Sequence, residues 1–322
     1  MNATQPVFRI RSACALAIGL LLLAVATGGR AHEYNTFEEL MRAFNTDLDA
    51  TEVRVQTVAP GLHVLLGAGG NVVVSIGEQG VLMVDSQYAE MVPKLTRAIE
   101  NLGGDGIDFT INTHWHFDHN GGNALLGRDG SWFVAQRNSR RMMMNDHAID
   151  LVNLHYMQPR SADEALPVVT FDDAMQMHLN GDTIDLLHFG PAHTTGDTII
   201  HFRNANVVHM GDVFNARYPF VDAGNGGHID GMIRACREVL ARLDSDSVVV
   251  PGHGPVSGYD DLETFVIMLE TVRDRVNAMI DSGYTLDEVI AARPTAEFDE
   301  RYGDPARLID RAYLGLSRRA GH

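Results

Sequence analysis

From residue 53 onward the chain reads as short apolar runs broken by glycine and proline. Residues 53–58, 62–66, 72–76 and 81–84 predict four successive strands, with Pro60-Gly61, Gly67-Ala68-Gly69-Gly70 and residues 77–80 as the turns between them. The period then changes. Met91, Leu95, Ala98, Ile99 and Leu102 recur at helical spacing over 89–102, and Gly103-Gly104 ends the run. A buried strand is expected at 107–112, another at 132–135, and a helix at 137–144. Strands resume at 175–179, 184–187, 198–202 and 207–210; a helix at 229–243 leads into the strand Val248-Val249-Val250. Helices at 262–280 and 307–316 close the chain. Residues 146–167 carry Pro159 and Pro167 with little periodicity and read as a loop at the rim of a site. Groups of strands with helices between and after them predict an α/β protein in α+β layers, two sheets packed together and covered by helices.

The first residues follow a different pattern. Arg9 and Arg11 precede an apolar run over 13–26, and Gly29-Arg30-Ala31 supplies small residues for a cut after Ala31. This order is that of a secretory signal. The run is shorter than the roughly 20 residues a spanning helix needs. The expected organisation is therefore a signal peptide over 1–31 and one domain over 32–322 with C-terminal helices, periplasmic or secreted, without stable membrane insertion after cleavage. Cleavage removes Cys14 and leaves Cys236 alone, so no internal disulfide is expected. The formal charge of −17 becomes −20 once Arg9, Arg11 and Arg30 are gone, because residues 1–31 hold no acid. A surface that acidic repels phosphate backbones, which argues against nucleic acid and for a small-molecule substrate.

The candidate chemistry begins at His114-Trp115-His116-Phe117-Asp118-His119, directly after the strand expected at 107–112. Residues two apart on extended chain point the same way, so His114 and His116 can reach one ion. Asp118 and His119 follow as the chain turns and can face a second. Three further residues sit in turns beside strands with glycine close by: His193 in Pro191-Ala192-His193-Thr194-Thr195-Gly196-Asp197, Asp212 in Gly211-Asp212-Val213-Phe214, and His253 in Pro251-Gly252-His253-Gly254. Together they make seven candidate metal ligands. Asp85, at the end of the strand 81–84, and Thr194 or Asp197 are candidates for orienting the imidazoles from behind.

The set HWHFDH, PAHTTGD, GDVF and PGHG resembles the metallo-β-lactamase superfamily, over about residues 50–320. The resemblance implies an αββα sandwich with metals at one edge of the two sheets. It implies that His114, His116 and His193 hold a first metal, that Asp118, His119 and His253 hold a second, and that Asp212 bridges both. The largest subclass of true metallo-β-lactamases has Cys where Asp212 stands; the set here is similar to that of glyoxalase II, acyl-homoserine lactonases and ribonuclease Z. Two features point back to the β-lactamases: the signal sequence, and Asn225, which lies roughly where those enzymes carry a substrate-binding Asn. Arg217 is a candidate for holding a substrate carboxylate, at a spacing that differs from the family's Lys.

Two ions about 3.5–4 Å apart can hold a water and bring its pKa towards 7, so that hydroxide attacks a carbonyl without a Ser or Cys nucleophile. Five His and two Asp favour zinc, two Zn²⁺ per chain; iron and manganese fit the same set. Asp118 doubles as a candidate proton acceptor. The expected activity is hydrolysis, with β-lactam amides the first named substrate and lactones or thioesters the alternative; a non-catalytic periplasmic binder of metal or a small ligand is the reading from another class.

Overall fold

The computed structural model describes residues 34–320. The signal peptide expected over 1–31 lies outside the described residues. From Tyr34 onward the chain forms one unit by its internal contacts. No helix among the described residues is long and apolar enough to cross a membrane.

Two sheets face each other. The first has seven strands, in the spatial order Arg54–Ala59, Leu62–Leu66, Val72–Gly77, Gly80–Val84, Phe109–Ile111, Trp132–Gln136 and Val169–Phe171. The second has six, in the order Ala174–Leu179, Asp182–Leu187, Ile199–Phe202, Val207–His209, Val248–Val250 and Ser257–Gly258. Hairpin turns make the first four strands antiparallel; the next three pair in parallel because chain containing helices returns between them. The strands with continuous Val and Leu runs are buried on both faces. Val73, Leu82, Val84 and Ile111 meet Ile184, Leu186, Ile200 and Val250 between the sheets. Their neighbours Val72, Val74, Val81 and Met83 turn the other way and pack on Leu95 and Ile99 of the helix Val92–Asn101 and on Leu40 of the helix Phe37–Ala43. On the far side Ile199, Val208 and Val249 pack under the helices Ile229–Leu240, Tyr259–Asp281 and Ala306–Ala320. The result is the αββα order of layers that the resemblance implied.

Each large apolar side chain taken from water in these layers contributes about 1.5–3 kcal/mol before the entropy of ordering it. Cys236 is a free thiol buried among them in the outer core.

One end of the seam between the sheets is pinned by an amide. Asn180 Nδ2 donates to Ser75 Oγ at 3.1 Å and to the Gly80 carbonyl at 3.0 Å, and Asn180 Oδ1 accepts from the Gln79 amide at 3.3 Å. The opposite end, where Gly67–Asn71, 112–119, 211–215 and 251–254 converge, carries the candidate chemistry.

The stretch 146–167 is not a plain loop. His147–Asp150 and His155–Gln158 form an antiparallel hairpin, and Ile149 and Leu151 pack with Trp115 and Met143 in a small separate core. Strands of four residues are too short to show an alternation that could be told from chance, so the pattern alone gave no signal. Several short helices likewise carry no expectation, among them Phe37–Ala43, Asn123–Arg128 and Leu286–Ala292.

Candidate metal centre

The segment after the strand Phe109–Ile111 bends over 113–115 and then enters a four-residue helix, Phe117–Asn120. His114 comes from the bend, His116 from the extended residue that caps the helix, and Asp118 and His119 from the helix itself. His193 comes from the turn before the strand Ile199–Phe202, Asp212 from a single 3₁₀ turn after Val207–His209, and His253 from the loop after Val248–Val250. Ligand-type atoms of these seven residues fall into three groups, each within 4.8 Å: His114/His116/His193, His114/His119/Asp212 and Asp118/His119/His253.

Hydrogen bonds behind the imidazoles decide which nitrogens face inward. His193 Nδ1–H donates to the Phe220 carbonyl at 2.8 Å, which leaves Nε2 as a lone-pair acceptor. His116 Nε2–H donates to Asp222 Oδ2 at 3.0 Å, which leaves Nδ1 as the acceptor. With both rings neutral, these two acceptors face each other across 3.0 Å, a contact that a cation between them would relieve. The Thr113 hydroxyl donates to Asp85 Oδ2 at 2.7 Å and accepts from His114 Nδ1 at 3.0 Å, so His114 Nε2 is bare. That nitrogen is buried and has no hydrogen-bond partner. Three lone pairs converging without a donor call for a cation, and imidazole lone pairs suit zinc.

On the other side His119 Nδ1 donates to Asp85 Oδ2 at 2.6 Å, and its Nε2 lies 3.1 Å from Asp212 Oδ1 and 3.3 Å from His253 Nε2. His253 Nε2 is 3.2 Å from Asp118 Oδ2. Asp212 reaches both sides, since its Oδ2 is 3.8 Å from His193 Nε2. Two of the three groups have the membership the resemblance implies, and the third joins His114 and His119 to Asp212 across them.

The electrostatics differ between the sets. Burial, reinforced by the charge of His119, holds the His114 imidazole well below its usual range, and burial also lowers His193 against the pull of Asp212. Both are ready as neutral ligands. Burial opposes charge at His119 and His253 too, but Asp212 and its fellow carboxylates prevail: His119 is raised well above its ordinary value, and His253 is lifted to about 10. Against the cost of their own burial, the same cations bring Asp118 down to about 2 and Asp212 well below the carboxylate range. Without metal this side holds protons where cations would sit, and binding an ion releases them.

Glycine permits the close approach. A Cβ on Gly70 would stand 2.2 Å from His119 Cε1, and one on Gly252 1.9 Å from Asp212 Oδ1. Asp85 takes a left-handed backbone, φ 63°, while fully buried. Strain of that kind costs about 1–3 kcal/mol and persists where its surroundings fix it; here the Asp85 carboxylate is held by Thr113 N, Thr113 Oγ1 and His119.

Asp85 thus orients His119 directly and His114 through Thr113. Thr194 and Asp197 make no hydrogen bond to the five imidazoles of this centre: Asp197 accepts from the Thr194 amide and hydroxyl and locks the turn that presents His193. Arg217 lines the cavity above the ligands. Asn225 does not. Its amide is spent on the Ala148 carbonyl at 2.9 Å and on Asp222, so it braces the loop that supplies the His116 partner. Four contributors went unread in the sequence. Asp222 and the Phe220 carbonyl fix two tautomers; Asn215 Oδ1 accepts from the His253 amide at 2.8 Å; and Asn71 Nδ2 ties down the Pro251 and Gly254 carbonyls on either side of His253, both at 2.9 Å. None belongs to a motif, and an Asp or Asn in a glycine-rich loop is ordinarily a turn residue.

A cavity of about 590 Å³ opens over Asp118, Asp212 and His253, walled by Tyr88, Phe117 and Phe220 among others.

A family model described as the metallo-beta-lactamase superfamily matches residues 66–253. Among solved structures, DIM-1 metallo-beta-lactamase is similar with a TM-score of 0.53 at 19% identity, covering 68% of this chain and 98% of that one. A metallo-beta-lactamase from Pontibacter korlensis has a TM-score of 0.53 at 16% identity, covering 68% and 99%. At these identities the likeness is one of fold. The alpha subunit of 2,4-dinitroanisole O-demethylase from Nocardioides sp. (strain JS1661) is 24% identical over 140 residues, 42% of this chain; the match spans only 38% of that relative's length. The family match takes in more than half of the sequence and encloses all seven side chains of the centre, and the chain belongs to the metallo-beta-lactamase superfamily.

Proposed function

We propose that this chain is an exported dinuclear zinc hydrolase acting on the carbonyl of a small acyl compound, with β-lactam amides the first candidate. The observation that carries the reading is the convergence of bare imidazole nitrogens and two carboxylates under an open cavity. His114, His116 and His193 would hold one ion and Asp118, His119 and His253 the other, with Asp212 between them. Two divalent cations would supply Lewis acidity and a water acidic enough to be deprotonated at neutral pH. Asp118, which lines the cavity, would take a proton during attack and return it to the leaving group. Tyr88 shares the wall; burial and the charges of Asp118 and Asp212 push its hydroxyl upward, so it stays a neutral donor.

A second reading, lactone or thioester hydrolysis, is favoured by Asp212 and His119, the set that resembles glyoxalase II. Purified, zinc-loaded protein assayed on nitrocefin, a homoserine lactone and a glutathione thioester separates the two. His116→Ala and Asp212→Ala should lower metal content and turnover together, by elemental analysis alongside the rates. Full activity with one tightly bound ion would end the dinuclear reading, and no turnover of any of the three would end the acyl-hydrolase one.

The basic, apolar and small-residue order of residues 1–31 supports export. Mass spectrometry of the protein from a fractionated cell should give a chain starting near His32; an intact Met1 in the cytoplasm would refute it.

A further inference from the structure

The family match ends at residue 253, yet part of the cavity wall comes from outside it. Phe44 and Thr46 reach in from the N-terminal side, and Arg301 and Arg307 from the C-terminal side. The two arginines are in different states. Arg301 is committed, donating to Asp261 Oδ1 at 2.9 Å. The Arg307 side chain has no hydrogen bond or ion pair among the described residues. Its guanidinium lies over the Phe44 ring, 5.6 Å from the centroid, and the side chain is half-buried.

A guanidinium drawn partly out of water without a carboxylate is costly unless an anion completes it. Burial lowers the affinity of Arg307 for its proton and Asp304 only partly offsets this, so the site favours added negative charge. The same cavity has apolar lining, with Ile149 and Leu151 from the hairpin and Phe220 from the loop that orients His116 and His193. The chain as a whole carries −17, which makes a cationic wall in this cavity a local exception rather than a sample of the surface.

We propose that Arg307 is an anion subsite, so that the substrate is an amphiphilic carboxylate: an acyl group for the metal centre, an apolar arm along Ile149 and Phe220, and a carboxylate that pairs with the guanidinium held on Phe44. This rests on the reading of the cavity as a substrate pocket. It differs from the role considered for Arg217, which is exposed and lies five residues after Asp212. A planar carboxylate matches the guanidinium fork and leaves the stacking face on Phe44 undisturbed.

The test is equilibrium binding, which does not depend on turnover. Zinc-loaded wild type, Arg307→Ala and Arg307→Lys are titrated calorimetrically with 5-phenylvalerate and with its uncharged amide. Wild type should bind the carboxylate roughly ten-fold or more tightly than the amide, as one charge-assisted pair allows. Arg307→Ala should erase most of that preference and Arg307→Lys restore part of it, with amide binding nearly unchanged in all three. A purely structural role on Phe44 would move both ligands together. A carboxylate that simply ligates zinc would keep its preference in Arg307→Ala, and that result overturns the subsite, as does failure of wild type to discriminate or to bind either ligand at millimolar concentration. Selective binding through Arg307 without hydrolysis of any acyl substrate would sink the hydrolase reading and leave the subsite standing.

Discussion

At the scale of single residues, what distinguishes this centre is the set of hydrogen bonds behind the ligands. Asp222 is the clearest case. It is buried, it accepts from His116 Nε2, and its carboxylate is held by Asn225. Replacing it with Asn keeps the shape and removes the charge that fixes the imidazole. Partners of this kind are worth about 10–100-fold in metal affinity. Asp222→Asn should therefore weaken zinc binding by about that factor in a competition titration against a chromophoric chelator, with the circular dichroism spectrum unchanged. Unaltered affinity would mean that His116 is fixed by its packing against Trp115 and Phe220 instead.

At the scale of elements, the sequence was most legible where a pattern runs long. The Val- and Leu-rich strands and the helix over 92–101 declared themselves because burial on one or both faces dictates their composition. The seven candidate ligands were legible for another reason: metal chemistry admits few residue types, four of the seven stand in one six-residue run, and the other three sit in turns beside strands with glycine close by. Short elements were not legible in this way. The hairpin over 147–158 offers four residues per strand, and its role, bringing Ile149 and Leu151 to the cavity, depends on contacts far away in sequence. The helices Phe37–Ala43 and Leu286–Ala292 are different, since each carries a complete capping box, Thr36 with Glu39 and Thr285 with Glu288. Those signals were readable, and seven residues of weak apolar periodicity hid them. Of the orienting groups, Asp85 was legible from its place at a strand end, while Asp222 and Asn71 were not. Asp222 sits 106 residues from His116 and Asn71 sits 180 from Pro251, and only the closed sandwich makes either pair neighbours.

At the scale of the whole molecule, the two sheets are joined differently at their two ends. The Asn180 amide fastens one end with neutral hydrogen bonds. At the other, His114, His116, Asp118 and His119 belong to the first sheet's side and His193, Asp212 and His253 to the second's. Coordination would therefore act as a clasp across the mouth of the sandwich as well as a reagent. Opening of the clasp should be local. On removing metal with a chelator, amide hydrogen exchange should speed up around 193–197, 212–215 and 251–254 and stay slow around 75–80 and 179–183. Uniform loss of protection would show that the ions stabilise the fold as one block. A gradient would give the protein a built-in metal sensor: in zinc-poor surroundings the chain would gape at its reactive end while its far end stayed shut, and the segments it exposed first to a protease would be those that carry the ligands.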